Sequence, residues 1–317
     1  MNKKGWTLLA TICVILGISG MIYQGFNFEE KKPAYTQKWT FNDNELQLLS
    51  INSEYDVEFE FITSPDGTNY VEASGNMPQK SIDKLTDTKI ADQSLALQFM
   101  EERIVRFLDL DFQSSTQYVT VALTDPEQML NRIDVDLLAN NGNFKALRAK
   151  EMSLKTNSGN LAVQDLAADR LQIKNFSGKV SLEQVAADTE LNVTSGNVKL
   201  DHFTGNLTSK MTSGDFSARN LQGDIHATMT SGNININDWT GNGTFKSTSG
   251  NIAIREQRSD SLDISIHSGN VSLSADPEFQ GTYDLKATSG RIESPVSPGV
   301  TDDLIKVRST SGNITIK

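Results

Sequence analysis

The pair Ser-Gly recurs at a nearly constant spacing through the second half of the chain, and this repeat constrains the fold more than any other feature. Between residues 158 and 312 the pair occurs nine times, at intervals of 18 to 22 residues. Asn141-Gly142-Asn143 is interpreted as a tenth, degenerate copy. The repeated glycines are Gly159, Gly178, Gly196, Gly214, Gly232, Gly250, Gly269, Gly290 and Gly312. A fixed period of this kind indicates a stack of equivalent structural units.

Each repeat contains two short alternating runs. Leu161 and Val163 stand two and four residues after their glycine, and Leu191 and Val193 form a second run in the next copy. Alternation with period two predicts strands with one buried face. Because two such strands bury too little alone, the copies must stack. The sequence therefore predicts an all-β fold, a two-sided parallel β-solenoid of about ten 18-residue coils.

Polar residues fill the positions expected for turns. Asparagine follows the glycine in six copies, at Asn160, Asn197, Asn233, Asn251, Asn270 and Asn313. Glycine permits positive φ, and asparagine tolerates such turns and can hydrogen-bond between coils. A second polar column, ten residues after the glycine, includes Asp169 and Asp188. Turn formation accounts for this column without a ligand, and a calcium site at Asp169 and Asp188 stays open as the alternative. No cofactor is expected.

An apolar run lies near the amino end. Lys3 and Lys4 precede it, and it extends from Trp6 to Tyr23. A helix of this length reaches about 27 Å, close to a bilayer core of roughly 30 Å. We expect one transmembrane helix that anchors the chain to the cell membrane, with a cleaved signal peptide as the alternative. The lysines then place the N-terminus in the cytoplasm and the bulk of the chain outside the membrane.

The resulting domain organisation has four parts. Residues 1–28 form a cytoplasmic tip and transmembrane anchor, and residues 29–38 form a stalk. Residues 39–121 form an acidic β-rich capping region without a sustained helical period, and residues 122–317 form the solenoid repeats.

The repeated T-S-G-N motif behind a single apolar segment resembles the bacterial putative-adhesin family, and particularly its LiaG-like members. The resemblance covers residues 40 to 317. It implies a β-solenoid domain of unknown function, and it supplies no catalytic residues. Members of the family often lie beside genes of envelope-stress response systems in Gram-positive bacteria, which implies an accessory role in the cell envelope.

Candidate chemistry in the sequence is sparse. His202, His226 and His267 occupy different phases of the repeat, so they are not expected to share a site. The net charge of −11 disfavours nucleic acid, which needs a basic footprint. Outward positions are polar and non-aromatic, which weakens a surface for stacking sugars; they include Glu190, Asn192, Thr208, Lys210, Thr228, Thr244 and Lys246.

These observations predict a non-enzymatic protein without catalytic or metal-binding residues. The expected function is binding, adhesion or an envelope-stress accessory role. A β-helix enzyme acting on cell-envelope polysaccharide is the alternative.

The last strand of the sequence predicts an association edge. The chain ends just after Ile314 and Ile316, in the first strand of a new coil. Unpaired backbone groups on a terminal strand can pair with another molecule by β-augmentation. We therefore expect an envelope protein or a second copy of the chain to bind at Ile314 and Ile316.

Overall fold

Parallel strands stacked into a solenoid of about ten turns make up most of the computed structural model, which describes residues 3–23, 32–100, 115–274 and 276–317. Within these residues the helices are α1 (Lys3–Tyr23) and α2 (Gln79–Thr86). The amino-terminal strands are β1 (Ala34–Phe41), β2 (Leu48–Ser53), β3 (Asp56–Thr63), β4 (Asn69–Asn76), β5 (Ser94–Phe99), β6 (Thr116–Leu123) and β7 (Leu130–Asp136).

The regular coils follow. Their strands are β8 (Gly142–Ser158), β9 (Leu161–Ser177), β10 (Val180–Ser195), β11 (Val198–Thr204), β12 (Leu207–Ser213), β13 (Phe216–Gln222), β14 (Ile225–Ser231), β15 (Ile234–Thr240), β16 (Gly243–Ser249), β17 (Ile252–Arg258), β18 (Ser261–Ser268) and β19 (Val271–Leu273). The final strands are β20 (Thr282–Ser289), β21 (Ile292–Glu293), β22 (Leu304–Ser311) and β23 (Ile314–Ile316).

The strands form two faces, here called sheet A and sheet B. In sheet A the order is β1-β4-β6-β3-β8-β9-β10-β11-β13-β15-β17-β19-β23-β21. In sheet B the order is β5-β2-β7-β8-β9-β10-β12-β14-β16-β18-β22-β20. The three long strands β8, β9 and β10 run through both sheets. The predicted two-sided parallel β-solenoid is confirmed.

The inward side chains form one continuous core between the two sheets. In the coils from Gly159 to Gly250, residues two, four and seven positions after the glycine are buried, as Ile234, Ile236 and Trp239 illustrate. Each coil stacks these positions on their equivalents 18 residues away, with Ile234 opposite Phe216 and Ile252. Apolar columns of this kind exclude water along the solenoid axis and supply the main stabilisation.

The corner inside sheet A uses a left-handed residue six positions after six of the repeat glycines, from Gly159 to Gly250. The positive-φ residues at this position include Asp165, Gln184, His202, Asn220, Asp238 and Glu256. The turn reverses the alternation once, so that the residue at position seven again points inward. A second glycine column, Gly205, Gly223 and Gly241, completes the corner toward sheet B, also at positive φ.

The amino-terminal region is built into the same two sheets. β2 and β3 pair in parallel with β7 and β8, whereas β4 pairs antiparallel with β1 and β6. Residues 34–38 of the predicted stalk lie in β1, where Tyr35 is buried. Helix α2 was not predicted: at eight residues it is too short to show a sustained period, and it buries Ser81 and Leu85. The predicted boundary between residues 28 and 29 lies outside the described residues.

The degenerate tenth copy is shifted by two residues relative to the prediction. Gly142 pairs with Leu161, which is an inward position, and not with Gly159. A β-carbon on Gly142 would lie about 2.5 Å from the ring of Phe144, so the glycine leaves room for that side chain. Asn141 occupies the turn position instead, and its Oδ1 accepts the backbone N–H of Asn160 at 2.9 Å.

The last two coils are stacked in the reverse of their sequence order. β22 lies between β18 and β20, and β23 lies between β19 and β21. The predicted association edge is therefore wrong: Ile314 pairs on both sides and Ile316 pairs with Leu273, and both side chains are buried.

The composition of the two coils explains this order. The coil of β22 and β23 supplies Ile305, Val307, Ile314 and Ile316, all fully or almost fully buried. In the coil of β20 and β21, Ile292 remains 42% exposed. Burying the more apolar coil between two neighbours removes more hydrocarbon from water. The end of the solenoid is consequently β20 and β21.

The predicted membrane anchor is contradicted. Helix α1 forms over the apolar run, but among the residues that the structure describes no helix is both long and apolar enough to cross a membrane. The predicted single-pass topology, with a cytoplasmic N-terminus and an extracytoplasmic solenoid, is overturned by this finding.

Candidate functional site

The asparagine column after the repeated glycines is a ladder of hydrogen bonds between coils. In every step except the one from Lys179, the side-chain oxygen of one coil accepts the backbone N–H of the next: Asn197 Oδ1 accepts from Asp215 at 2.9 Å, and Asn233 Oδ1 accepts from Asn251 at 3.1 Å. The ladder continues from Asn270 to Asn313 at 2.9 Å. These oxygens are thus used in holding the turns together.

The second polar column is also engaged in turn structure. Asp188 Oδ1 accepts the N–H of Asn206 at 2.9 Å. The register places Asp188 opposite Arg170, with a shift just before it, so Asp169 and Asp188 do not form a regular cross-coil pair. Within the described ranges, no group of three or more His, Cys, Asp or Glu side chains could hold a metal ion. The calcium alternative gains no support.

An ion pair on sheet A shows how charges outside the turns are used. Asp201 accepts hydrogen bonds from Arg219, with Nε at 2.9 Å, and from the side chain of Asn220 at 3.2 Å. The hydrogen bond from Arg219 lowers the pKa of Asp201, and the hydrogen bond from Asn220 adds to the shift. His202, beside it, lies at the left-handed corner. Arg219 thus neutralises Asp201, and this ion pair joins adjacent coils.

The outward face of sheet B carries a different pattern, which we call the lysine row. Strand register aligns its members side by side across six successive coils: Lys155, Lys174, Asn192, Lys210, Thr228 and Lys246. Neighbouring strands are about 4.8 Å apart, so Lys174, Lys210 and Lys246 repeat at roughly 9.6 Å. Lys155 pairs with Asp136 at 2.6 Å.

A second outward row runs parallel to the lysine row, two residues farther along each strand. This threonine row comprises Asn157, Phe176, Thr194, Thr212, Thr230 and Thr248. All of its members are exposed, and the Phe176 ring is 63% exposed. An exposed phenylalanine among hydroxyl side chains is a large apolar surface that packing within this chain does not account for.

A shallow groove of about 440 Å³ lies between the two rows. Lys174, Lys210, Phe176 and Thr212 are among its lining residues, and none of its lining residues is Asp, Glu or His. The groove crosses five coils, from Lys155 to Thr228, over roughly 19 Å at the usual strand spacing. Its long direction is therefore the solenoid axis.

Besides Asp136, which is paired with Lys155, a carboxylate beside the lysine row is Glu190, in the outward row on the other side of the lysines. It accepts a hydrogen bond from Asn192 Nδ2 at 2.9 Å. That hydrogen bond lowers the pKa of Glu190; a hydrogen bond from Gln172 and the positive charges of Lys210 and Lys174 act in the same direction. Glu190 is therefore ionised and held by its neighbours.

Sequence analysis identified Lys210 and Lys246 as outward and polar but missed Lys174, Phe176 and the groove. A signal was present: Lys174, Lys210 and Lys246 are spaced by 36 residues, which is twice the repeat. Phe176 occupies the position that is threonine in the next four copies. The inference of a non-aromatic outward surface was wrong at this one position.

The fold and the groove define a two-sided β-solenoid with a polar surface along one sheet. The Toastrack DUF4097 family model matches residues 46–238 and 226–317, and the chain belongs to this family. The match agrees with the resemblance drawn from the T-S-G-N repeats but does not single out LiaG-like members. No curated protein matches the sequence.

The chain is also similar to solved structures of other bacterial proteins. The chain is similar to a putative lipid binding protein from Parabacteroides distasonis, at 15% identity and a TM-score of 0.40, over 90% of this chain and 96% of the other. It is similar to a putative adhesin from Bacteroides fragilis, at 15% identity and a TM-score of 0.35, over 90% and 98%. A putative adhesin from Parabacteroides merdae has 15% identity and a TM-score of 0.32, over 90% and 96%.

Proposed function

We propose that this protein is a non-catalytic binding protein of the adhesin type, which holds an extended carbohydrate chain along the outer face of sheet B. The observation that carries the proposal is the groove between the lysine row and the threonine row. It is open along the solenoid axis and its lining repeats from coil to coil. A repeating surface suits a repeating polymer better than a compact ligand.

The side chains of the groove suit a carbohydrate. Thr194 and Thr212 present hydroxyl groups that can both donate and accept hydrogen bonds with sugar hydroxyls. The exposed ring of Phe176 offers an apolar face of about the size of a pyranose ring. Backbone amides on both sides are already paired within the sheet, which leaves recognition to the side chains.

The alternative of an enzyme acting on a polysaccharide has less support. Glycoside hydrolysis ordinarily needs two carboxylic groups about 5 to 10 Å apart, one of them with a raised pKa. The groove lining contains no carboxylate, and the pKa of nearby Glu190 is lowered. This residue set supports binding without bond cleavage.

The test uses a panel of linear polysaccharides, namely dextran, polygalacturonate and chitosan, in graded lengths. Calorimetry should detect at least one bound polymer, with affinity that rises with length and levels off once the groove is filled. Size-exclusion chromatography should show the bound chains at their original length. Shortened chains would favour the enzyme, and a panel without any binding would contradict the proposal.

A groove-filling variant locates the site. Thr212→Trp places an indole between the two rows and should abolish binding. Thr240→Trp is the matched control, since Thr240 is exposed on sheet A, away from the groove. Equal effects of the two substitutions would place the binding surface elsewhere.

A further inference from the structure

Three lysines of the lysine row carry more positive charge than Glu190, the carboxylate beside them, can balance. Within the described part of the chain, Lys174, Lys210 and Lys246 have neither an ion pair nor a side-chain hydrogen bond, and all three are exposed. Elsewhere on the solenoid, cations are paired across coils: Arg148 binds Asp165 at 2.8 Å and Lys306 binds Asp263 at 2.9 Å. Among the described residues, exposed lysines without an ion pair also occur outside the groove, as at Lys145, Lys179 and Lys199, but these lie at different positions of the repeat. The lysine row differs in aligning its unpaired cations along one face.

The local charge of this surface is opposite to that of the whole chain. The net charge is −11, yet residues 141–317 carry 18 Lys and Arg against 19 Asp and Glu, so the acidity belongs to the amino-terminal part. Between Lys155 and Thr248, neither the lysine row nor the threonine row contains a carboxylate. Screening at physiological ionic strength limits remote charges to about 8 Å, so a ligand in the groove experiences mainly nearby charges, among which the three lysines outnumber the carboxylate of Glu190.

The spacing of the lysines selects a polymer. Lys174, Lys210 and Lys246 repeat every second coil, at roughly 9.6 Å. A small anion could meet one of them, but only a ligand whose charge repeats along its length can meet all three together. Strand register keeps this spacing rigid, because each lysine sits on a strand that is paired on both sides.

From this arrangement we infer that the ligand of the groove is a linear acidic polysaccharide, whose carboxylates lie over Lys174, Lys210 and Lys246 while its sugar rings contact Phe176 and the threonine row. This inference rests on the proposed function and names its ligand class. Nucleic acid fits the surface less well, since base stacking on single strands uses successive aromatic side chains and the groove offers Phe176 alone.

The experiment compares polygalacturonate with its carboxyl-reduced form, which retains the sugar backbone and loses the charge. The triple variant Lys174→Gln, Lys210→Gln and Lys246→Gln should bind polygalacturonate about ten- to a hundredfold more weakly, since an exposed ion pair contributes roughly a factor of two to five. A rising salt concentration should weaken the binding of polygalacturonate to the wild-type protein and should have little effect on its binding to the triple variant.

The matched control replaces three exposed lysines outside the groove, with the same change in net charge: Lys145→Gln, Lys179→Gln and Lys199→Gln. It should retain binding within about twofold, because long-range charge is screened. Circular dichroism and thermal melting of both triple variants check that the solenoid is intact.

The outcomes distinguish an error in the ligand class from an error in the binding site. Equal binding of the carboxyl-reduced chain, or equal affinities of the two triple variants, would overturn the acidic ligand while leaving a carbohydrate-binding groove in place. Tighter binding of polyphosphate or single-stranded DNA than of polygalacturonate would also overturn it. If Thr212→Trp leaves polygalacturonate binding unchanged, both the site and the ligand class are rejected.

Discussion

Replacing Gly232 with alanine tests the packing of the repeated turns. Gly232 has φ +130°, a conformation that residues with a β-carbon rarely adopt. An added β-carbon would lie well inside contact distance of the carbonyl oxygen of Gly214 in the preceding coil. The same relation joins Gly250 to Gly232 and Gly269 to Gly250, so the column interlocks through backbone contacts.

Two terms set the expected cost. The unfavourable backbone conformation costs on the order of 1–3 kcal/mol. Relief of the clash requires the coils to separate, which weakens hydrogen bonds such as Gly214 N–H to Ser231 O at 3.2 Å, each worth about 1 kcal/mol. Together the terms predict a loss of about 3–5 kcal/mol in the free energy of unfolding. This corresponds to a decrease of the order of 10 °C in Tm.

The control is Gly67→Ala. Gly67 also has a positive φ, +75°, but an added β-carbon there would meet nothing within 4 Å. Gly67→Ala should lower the free energy of unfolding only through the unfavourable backbone conformation, by about 1–2 kcal/mol. Urea denaturation followed by far-UV circular dichroism measures both variants, and hydrogen exchange locates any coils that open first. Equal losses for the two variants would refute the interlocking of the coils.

Three further perturbations follow from the packing. A β-carbon on Gly243 would lie 2.5 Å from the Trp239 ring, so Gly243→Leu and Trp239→Leu should each destabilise the protein, and the double variant should lose at least about 1 kcal/mol less than their sum in chemical denaturation. The pKa of Asp201 is lowered in the folded protein, so its ionised carboxylate stabilises the fold above the unfolded pKa of about 3.8, and this stabilisation is lost as pH falls through the folded pKa. Asp201→Asn should therefore make the free energy of unfolding depend less on pH in the acid range. Thr315→Pro removes a backbone donor from β23, which lies inside the sheet, and should cost about 3 kcal/mol and accelerate hydrogen exchange in β19 and β21; unchanged exchange there would contradict the strand order.

The coil itself is readable from sequence because its determinants are local. Burial alternates with period two along a strand, so the apolar pattern around Ile234 and Ile236 reveals both the strand and its inward face. The turn glycines are equally local, since their positive φ is a property of single residues. The copy near Gly142 was misaligned because a glycine that makes room for Phe144 looks the same in sequence as a turn glycine.

The groove and the end of the solenoid depend on which strands are neighbours. Lysines 36 residues apart acquire a common function only when register places their strands on one face, and Phe176 gains significance only beside them. The short helix α2 forms because Leu85 packs into the core. Eight residues are too few to show a helical period in the sequence.

The sequence by itself determined the all-β coil, its period, its inward positions and its turns, because each depends on residues close together in the chain. The tertiary structure alone decided that β22 and β23 lie inside β20 and β21, because that order is set by the total apolar surface buried between coils. It also decided that the unpaired lysines lie in one row along the groove and beyond its end, since only stacking converts a 36-residue interval into a spacing of roughly 9.6 Å.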